Sequence, residues 1–341
     1  MRRAGRLFDR IVDRENLRIA AHKALRGKRD RPDARLFASD LEVNLLELRC
    51  ALERGDVALG TWNQFTIRDP KVRLITAPCF RERVLHHAVM NVCEPVFERC
   101  LIDDTFACRK GKGRLAALDR ARCFAGRFSF FLKLDVRQYF ASISHSILAA
   151  RFRRVFKDPS LLDLFERVIA CYSTAPGRGL PIGSLTSQHF ANFYLSAFDR
   201  FVKEGLGVAG YVRYMDDCVL WADSTSRLKA DLAKATVFLR DELGLELKPG
   251  YINRTSHGMD FLGCRVFSTH ATLNRRSRVR FRRRFRTLEE LLSKGRLDES
   301  EVQRRVEALV AFTRTPGVRS WRFRQAVIQS VTEGGQGPRS G

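Results

Sequence analysis

Gly210-Tyr211-Val212-Arg213-Tyr214-Met215-Asp216-Asp217-Cys218-Val219-Leu220-Trp221 is the stretch on which the reading of this chain turns. Two apolar arms flank a pair of adjacent carboxylates, and the pattern predicts a β-hairpin over 209–222 with the acids at its tip. Two like charges side by side on an apolar hairpin repel, so something cationic must offset them. Asp also favours turns, and the pair taken alone reads first as an ordinary hairpin turn. A second stretch changes that weighing. Phe130-Phe131-Leu132-Lys133-Leu134-Asp135 is an apolar strand that ends in a carboxylate. Set beside the hairpin tip, it would gather Asp135, Asp216 and Asp217 into one cluster of hard oxygen donors. Mg2+ takes such ligands and completes its shell with water and phosphate. Two such ions about 3.5–4 Å apart clamp the attacking and leaving oxygens of an in-line displacement, as nucleotidyl transfer requires.

Outward from these motifs the chain alternates helical and extended patterns. A helix is predicted over 39–54, opened by a Ser39/Glu42 capping box and lined by Leu41, Leu45, Leu48 and Leu52. Residues 66–77 read as two short strands around an Asp-Pro turn. Helices are expected at 81–99, 144–156, 160–172, from about Leu185, and at 226–243. A Gly/Pro loop runs from Gly177 to Gly183, and strands are expected near 245–252 and 259–267. His86-His87 falls on an apolar-periodic stretch and reads as core or surface rather than as a metal site. The order predicts an α+β architecture with an antiparallel hairpin at its heart.

The 341 residues carry 62 Lys+Arg against 38 Asp+Glu, a formal net charge of +24, with 50 arginines and 12 lysines. At 45% hydrophobic and 29% charged the composition is that of a folded protein of two or three subdomains. Such an excess makes a polyanion the leading partner, nucleic acid before a membrane surface, since no lipidation motif or amphipathic anchor accompanies it. No apolar run is long enough for a transmembrane helix, and acids interrupt the basic N-terminus before any secretory core forms. Nine cysteines without a C-x-x-C pair predict reduced thiols and a cytoplasmic location.

Five segments in order resemble the reverse transcriptases. Phe131 to Asp135 is similar to the first catalytic motif of their palm, and Tyr214-Met215-Asp216-Asp217 to the second. Leu180-Pro181-Ile182-Gly183-Ser184-Leu185-Thr186-Ser187-Gln188 resembles the motif between them, Phe261-Leu262-Gly263-Cys264 the primer grip, and Lys71-Val72-Arg73 the fingers motif that holds the incoming triphosphate. The resemblance implies a right-hand polymerase fold with fingers (31–127), a palm (128–267) and a basic helical thumb (268–332). An N-terminal extension (1–30) precedes these and a disordered tail (333–341) follows. It implies RNA-templated DNA synthesis with two Mg2+ ions, or Mn2+ in their place, held by Asp135, Asp216 and, more weakly, Asp217. Lys71 and Arg73 would neutralise triphosphate charge; read without the other motifs they are a solvated strand pair. Phe140 would exclude a 2′-hydroxyl, Gly183 and Gln188 would line the nucleotide loop, and Lys248 could protonate the leaving pyrophosphate. Phe261, Leu262 and Gly263 would hold the primer.

One departure narrows the resemblance. Most reverse transcriptases carry Gln before the loop glycine and Ser-Pro at the end of that motif; this chain has Ile182 and Ser187-Gln188. The variant resembles the reverse transcriptases of diversity-generating retroelements, which implies error-prone copying opposite template adenine. It also implies mutagenic retrohoming into a variable gene and a basic helical accessory protein as partner. Ile offers none of the donors and acceptors of Gln, and a pocket that works by shape alone discriminates less. Packing of Ile182 beneath the loop reads the same residue equally well. A defence-associated or group II-like bacterial enzyme, and a non-catalytic RNA-binding protein on the same fold, are the alternatives.

From Ala271 onward the net charge is +10. Arg275, Arg276, Arg278, Arg280, Arg282, Arg283, Arg284 and Arg286 occur there without one acid, interleaved with Phe281 and Phe285. This pattern predicts a helix that grips nucleic-acid backbone, with rings available to stack on bases. The cluster from Arg26 to Arg35 reads equally as a site for RNA or a partner and as a solvated loop.

Overall fold

The computed structural model describes residues 2–68, 72–313, 318–321, 323–325 and 327. Four helices open the chain: α1 (Phe8–Val12), α2 (Arg14–Leu25), α3 (Pro32–Ser39) and α4 (Leu41–Arg54). The antiparallel pair β1 (Trp62–Ile67) and β2 (Arg73–Pro78) follows, then α5 (Phe80–Glu98) and α6 (Arg114–Arg127). The strand β3 (Phe130–Asp135) leads into α7 (Tyr139–Ser142), α8 (His145–Val155), α9 (Pro159–Ala170), α10 (Leu185–Tyr194) and α11 (Ser196–Arg200). Next come the hairpin β4 (Gly210–Tyr214) and β5 (Asp217–Ala222), α12 (Thr225–Leu243), and the strands β6 (Tyr251–Arg254), β7 (Met259–Phe261), β8 (Cys264–Val266) and β9 (Ala271–Leu273). The chain continues through α13 (Arg275–Ser293), α14 (Glu299–Thr313) and β10 (Val318–Arg319).

The centre is a four-stranded antiparallel sheet in the order β4-β5-β3-β6. Alternation along its strands sends side chains to two separate cores. Leu132, Leu134, Tyr211, Cys218 and Leu220 point to the larger one, and Phe131, Val212, Val219 and Trp221 to the smaller. A one-residue slip would exchange the two sets, so burial on both faces pins the register that carries the carboxylates. The larger core holds a cluster of phenylalanines around α5, α8, α9 and α10: Phe97, Phe152, Phe156, Phe165, Phe190 and Phe193. The smaller core joins the central sheet to α6 and to a second sheet, β10-β9-β8-β7. Among the described residues no helix is long and apolar enough to cross a membrane.

Several sequence expectations are corrected. Ser39 ends α3 instead of capping the next helix; its hydroxyl hydrogen-bonds the Leu36 carbonyl and Asp40, and α4 starts at Leu41 without a side-chain cap. The Leu45, Leu48 and Leu52 stripe is buried as expected. Extended chain expected from 245 forms a strand only at Tyr251, since Pro249 has no N–H for a ladder. The strand expected near 259–267 is two strands, β7 and β8, joined by a tight turn in which Leu262 has φ 47° and Gly263 φ 82°. Asp69, Pro70 and Lys71, on which the expected Asp-Pro turn falls, and the expected tail at 333–341 lie outside the described residues.

Candidate active site

The carboxylates meet because strand register brings them together. Asp135, the last residue of β3, lies directly opposite Asp217, the first residue of β5, and Asp216 precedes it in the turn. Tyr214 pairs with Asp217, leaving Met215 and Asp216 as a two-residue connection. Met215 adopts φ 58°, a conformation that non-glycine residues rarely take.

Arg213 holds this turn. Its guanidinium is fully buried and forms a two-pronged ion pair with Asp199, with both N···O distances 2.6 Å. It also donates to the Met215 carbonyl (2.9 Å) and to both the side-chain and main-chain oxygens of Asn192. Tyr211 and Thr105 hydroxyls donate to the same Asp199 carboxylate. Burial alone would lower the guanidinium pKa, and the Asp199 charge overrides it and raises the pKa. A charge inside an apolar strand is a signal visible in the sequence, but its partner is 14 residues away and only the fold identifies it.

Two lysines answer the acids. Lys133 on β3 reaches Asp217 at 3.1 Å and also donates to the Asp260 carbonyl at 2.8 Å, so it ties the carboxylate to the strand that leads into Phe261. Lys248 donates to Asp135 at 2.7 Å, and its main-chain N–H bonds the Asp135 carbonyl. Burial pushes Asp217 up to about 6 against the opposing charge of Lys133, and Asp216 and Asp135 add to the rise. Asp216 is raised as well, by burial and by Asp135, while Arg73 and Lys248 oppose it. Exposed Arg73, at the start of β2, is thus felt electrostatically at Asp216.

The donor set fits a hard divalent cation. Asp135 and Asp216 offer carboxylate oxygens with mutual repulsion that a cation would relieve, and Lys133 and Lys248 partly compensate it. Among the described residues no three His, Cys, Asp or Glu side chains close into a cage by themselves.

Phe140 stands five residues beyond Asp135, half-buried, edge-on to the buried Tyr139 ring. Its carbonyl accepts from the N–H of Leu180, which ties it to the 180–188 loop. In that loop the carbonyl of half-buried Ile182 accepts from Thr76 of β2 at 2.7 Å. Gly183 has φ +127°, and a Cβ there would lie 2.8 Å from Ile75. Gln188 is exposed on α10 and accepts from the Cys108 thiol. Phe261 is buried, and the Leu262 carbonyl accepts from Arg114 of α6. Of the expected arginines on α13, seven are exposed and Arg280 is half-buried. Phe281 is not available for base stacking: it is buried against Phe285 and Phe323, because the helix needs one apolar stripe to dock.

Sequence reasoning passed over Arg213 with Asp199, Lys133 as a link to Asp260, and the buried bonds of Glu82 to Gly60 and of His86 to Ser184. Lys133 carried a signal, as the one charge inside an apolar strand. The partners of Glu82 and His86 lie 22 and 98 residues away and carried none.

The geometry is matched by comparison with known proteins. The family profile described as "Reverse transcriptase (RNA-dependent DNA polymerase)" matches residues 67–266. The chain belongs to the reverse transcriptase family. It is 23% identical over 182 residues to protein YkfC of Escherichia coli K12, covering 47% of this chain and 48% of that one. It is 24% identical over 145 residues to the group II intron-encoded protein LtrA of Lactococcus lactis, covering 39% of this chain and 23% of that one. The chain spans less than half the length of the curated relatives it matches. Among solved structures, apo telomerase from Candida tropicalis superposes with a TM-score of 0.50 at 10% identity, covering 81% of this chain and 59% of that one. The fold is that of a right-hand polymerase.

Proposed function

We propose that this chain is an RNA-directed DNA polymerase. The observation that carries the reading is the register that sets Asp135 opposite Asp217 with Asp216 at the adjoining turn. Asp135 and Asp216 would hold Mg2+, which when bound supplies charge neutralisation at the reacting phosphate. Lys71 and Arg73 would meet the triphosphate, Phe140 would face the sugar and Lys248 would serve the leaving pyrophosphate. Phe261 to Gly263 would seat the primer, and the exposed arginines of α13 the duplex backbone. On this assignment the fingers span 31–127, the palm 128–267 and the thumb 268–332. Primer extension on an RNA template with Mg2+ and deoxynucleotides should give product, and Asp216→Ala/Asp217→Ala should give none. Chelation should stop extension, with Mg2+ or Mn2+ restoring it. Product from the double variant would refute the site.

The same reading extends to error-prone copying of the diversity-generating type, with mutagenesis opposite template adenine for diversification of a variable gene. Its support is Ile182, an apolar side chain in a loop bonded to the strand that carries Arg73. Replacing it with Gln restores a donor and an acceptor, and Ile182→Gln should lower misincorporation opposite adenine by about 3- to 10-fold, the worth of one hydrogen bond. Product sequencing checks this, and an unchanged error spectrum rejects it. The proposed partners are template RNA, deoxynucleotides and a basic helical accessory protein, in the cytoplasm. The similarity to a group II intron-encoded protein favours a second reading, a group II-like enzyme with ordinary errors, and the same sequencing separates the two.

A further inference from the structure

Two buried polar side chains on one face of α5 stand between the segment leading into the β1–β2 hairpin and the loop that carries Ile182. They are Glu82 and His86, which lie one helical turn apart. Both side chains are 1% exposed. One Glu82 carboxylate oxygen accepts from the main-chain N–H of Gly60 at 3.0 Å, and the Thr61 N–H also bonds this carboxylate; these residues lead into β1. The other oxygen lies 3.5 Å from His86 Nε2, beyond hydrogen-bond geometry, and both atoms are buried without a hydrogen-bond partner among the described residues. His86 Nδ1 is 3.1 Å from the Ser184 hydroxyl, and that hydroxyl is 2.9 Å from the Thr186 hydroxyl. Ser184 directly follows Gly183. Burial lowers the His86 pKa to about 3, so the ring is neutral. A neutral ring with its proton on Nε2, facing Glu82, accepts from Ser184 at Nδ1.

The loop is therefore tied to the hairpin twice. One tie is direct, from Thr76 N–H on β2 to the Ile182 carbonyl. The other is made through α5, where His86 bonds Ser184 and Glu82, one helical turn away, bonds Gly60 just ahead of β1. The two surfaces touch at Gly183, where a Cβ would stand 2.8 Å from Ile75 and 3.1 Å from the Thr76 carbonyl. Polar groups this deep are costly compared with apolar packing, and the directional bonds of His86 to Ser184 and of Glu82 to Gly60 fix the loop and the hairpin to the same helix where apolar contacts would admit several placements.

We propose that Glu82, His86 and Ser184 are positioning residues that lock the Ile182–Gly183 loop to the triphosphate-facing hairpin and so set nucleotide selection. This rests on the polymerase reading above. None of the three touches the carboxylate site, so they act on selection without altering metal demand.

Ser184→Ala removes one hydroxyl and little volume, and His86→Gln removes the ring nitrogen that Ser184 bonds. Each should raise the KM for deoxynucleotide by about 3- to 10-fold, the worth of one neutral hydrogen bond, and raise misincorporation with it. The kcat at saturating nucleotide and the half-saturating Mg2+ should stay within about 2-fold of wild type. Ser184→Thr, which keeps the hydroxyl, should recover most of the KM. Amide exchange at Thr76 should quicken in Ser184→Ala, a readout that needs no activity. Unchanged KM and unchanged exchange in both variants would overturn the proposal, as would kcat, Mg2+ demand and melting temperature all falling in step with KM. Wild-type protein without RNA-templated synthesis, but with faster Thr76 exchange in Ser184→Ala, would leave the tie standing and remove the polymerase reading.

Discussion

Arg213 shows how much one side chain can decide. Its ion pair with Asp199 has no contact with solvent, and removing one partner from such a pair typically costs about 3–5 kcal/mol, because the other is left charged and buried. The guanidinium also carries the Met215 carbonyl, on which the placement of Asp216 depends. Lys cannot reproduce a two-pronged fork plus three further bonds. Arg213→Lys should therefore lose stability on the order of 2–4 kcal/mol in denaturant melts. Its remaining folded fraction should need more Mg2+ for half-maximal extension. An equal Mg2+ requirement in wild type and variant would show that the turn keeps its shape without the fork. Lys133 works at the same scale but outward, joining Asp217 to the Asp260 carbonyl and so coupling the carboxylate to the turn at Leu262 and Gly263.

At the scale of elements, α13 separates docking from charge. Ser277, Phe281 and Leu288 form its buried stripe, and the arginines occupy the rest of its circumference. Phe281→Ala should cost about 3–5 kcal/mol of local packing and loosen α13 from its neighbours. Combined replacement of Arg276, Arg278 and Arg286 by Gln should leave melting within about 1 kcal/mol, as expected for exposed side chains. It should flatten the dependence of log affinity on log salt by about 2–3 for template–primer duplex, if each neutralises one phosphate. An unchanged salt slope would remove α13 from the proposed interface. The helix α5 plays a different part. Its stripe of Val84, Leu85, Ala88, Val89 and Val92 was legible as period-3.6 burial, and the same burial isolates Glu82 and His86 from water.

For the whole molecule, those buried imidazoles predict acid sensitivity. Burial lowers the His86 pKa to about 3 and the His87 pKa to about 4. The unfolded chain takes up these protons near pH 6.5 and the folded chain does not, so stability is full above that pH and falls as pH drops towards 4. The slope is up to about 1.4 kcal/mol per pH unit for each histidine. Glu82, raised by burial, acts in the opposite sense at the lower end of this range. His86→Gln should flatten the profile between pH 6.5 and 4 by about one proton's worth, measured by denaturant melts at each pH. A slope equal to wild type would mean that His86 is protonated in the folded state. The net charge of +24 belongs to this scale too: it favours a polyanionic partner, and the exposed arginines of α13 are one place where that partner is offered a surface.

Period-2 and period-3.6 patterns depend only on neighbours along the chain, so the hairpin at 209–222, the strand ending at Asp135, α5 and the helix from Leu185 could all be read without coordinates. The carboxylates were legible for the same reason: an acid closing an apolar strand is a local anomaly. Cap and strand boundaries were less legible, because Ser39 had a competing local partner and Pro249 delayed β6. What only the tertiary structure decided is pairing. Asp199 found Arg213, Lys133 found Asp260, Glu82 found Gly60 and His86 found Ser184. The bonds of Arg213, Glu82 and His86 are selected by burial, which denies a polar group water and forces it onto whatever the packed fold brings within reach. A sequence states which residues will need partners; the fold decides which partners they get.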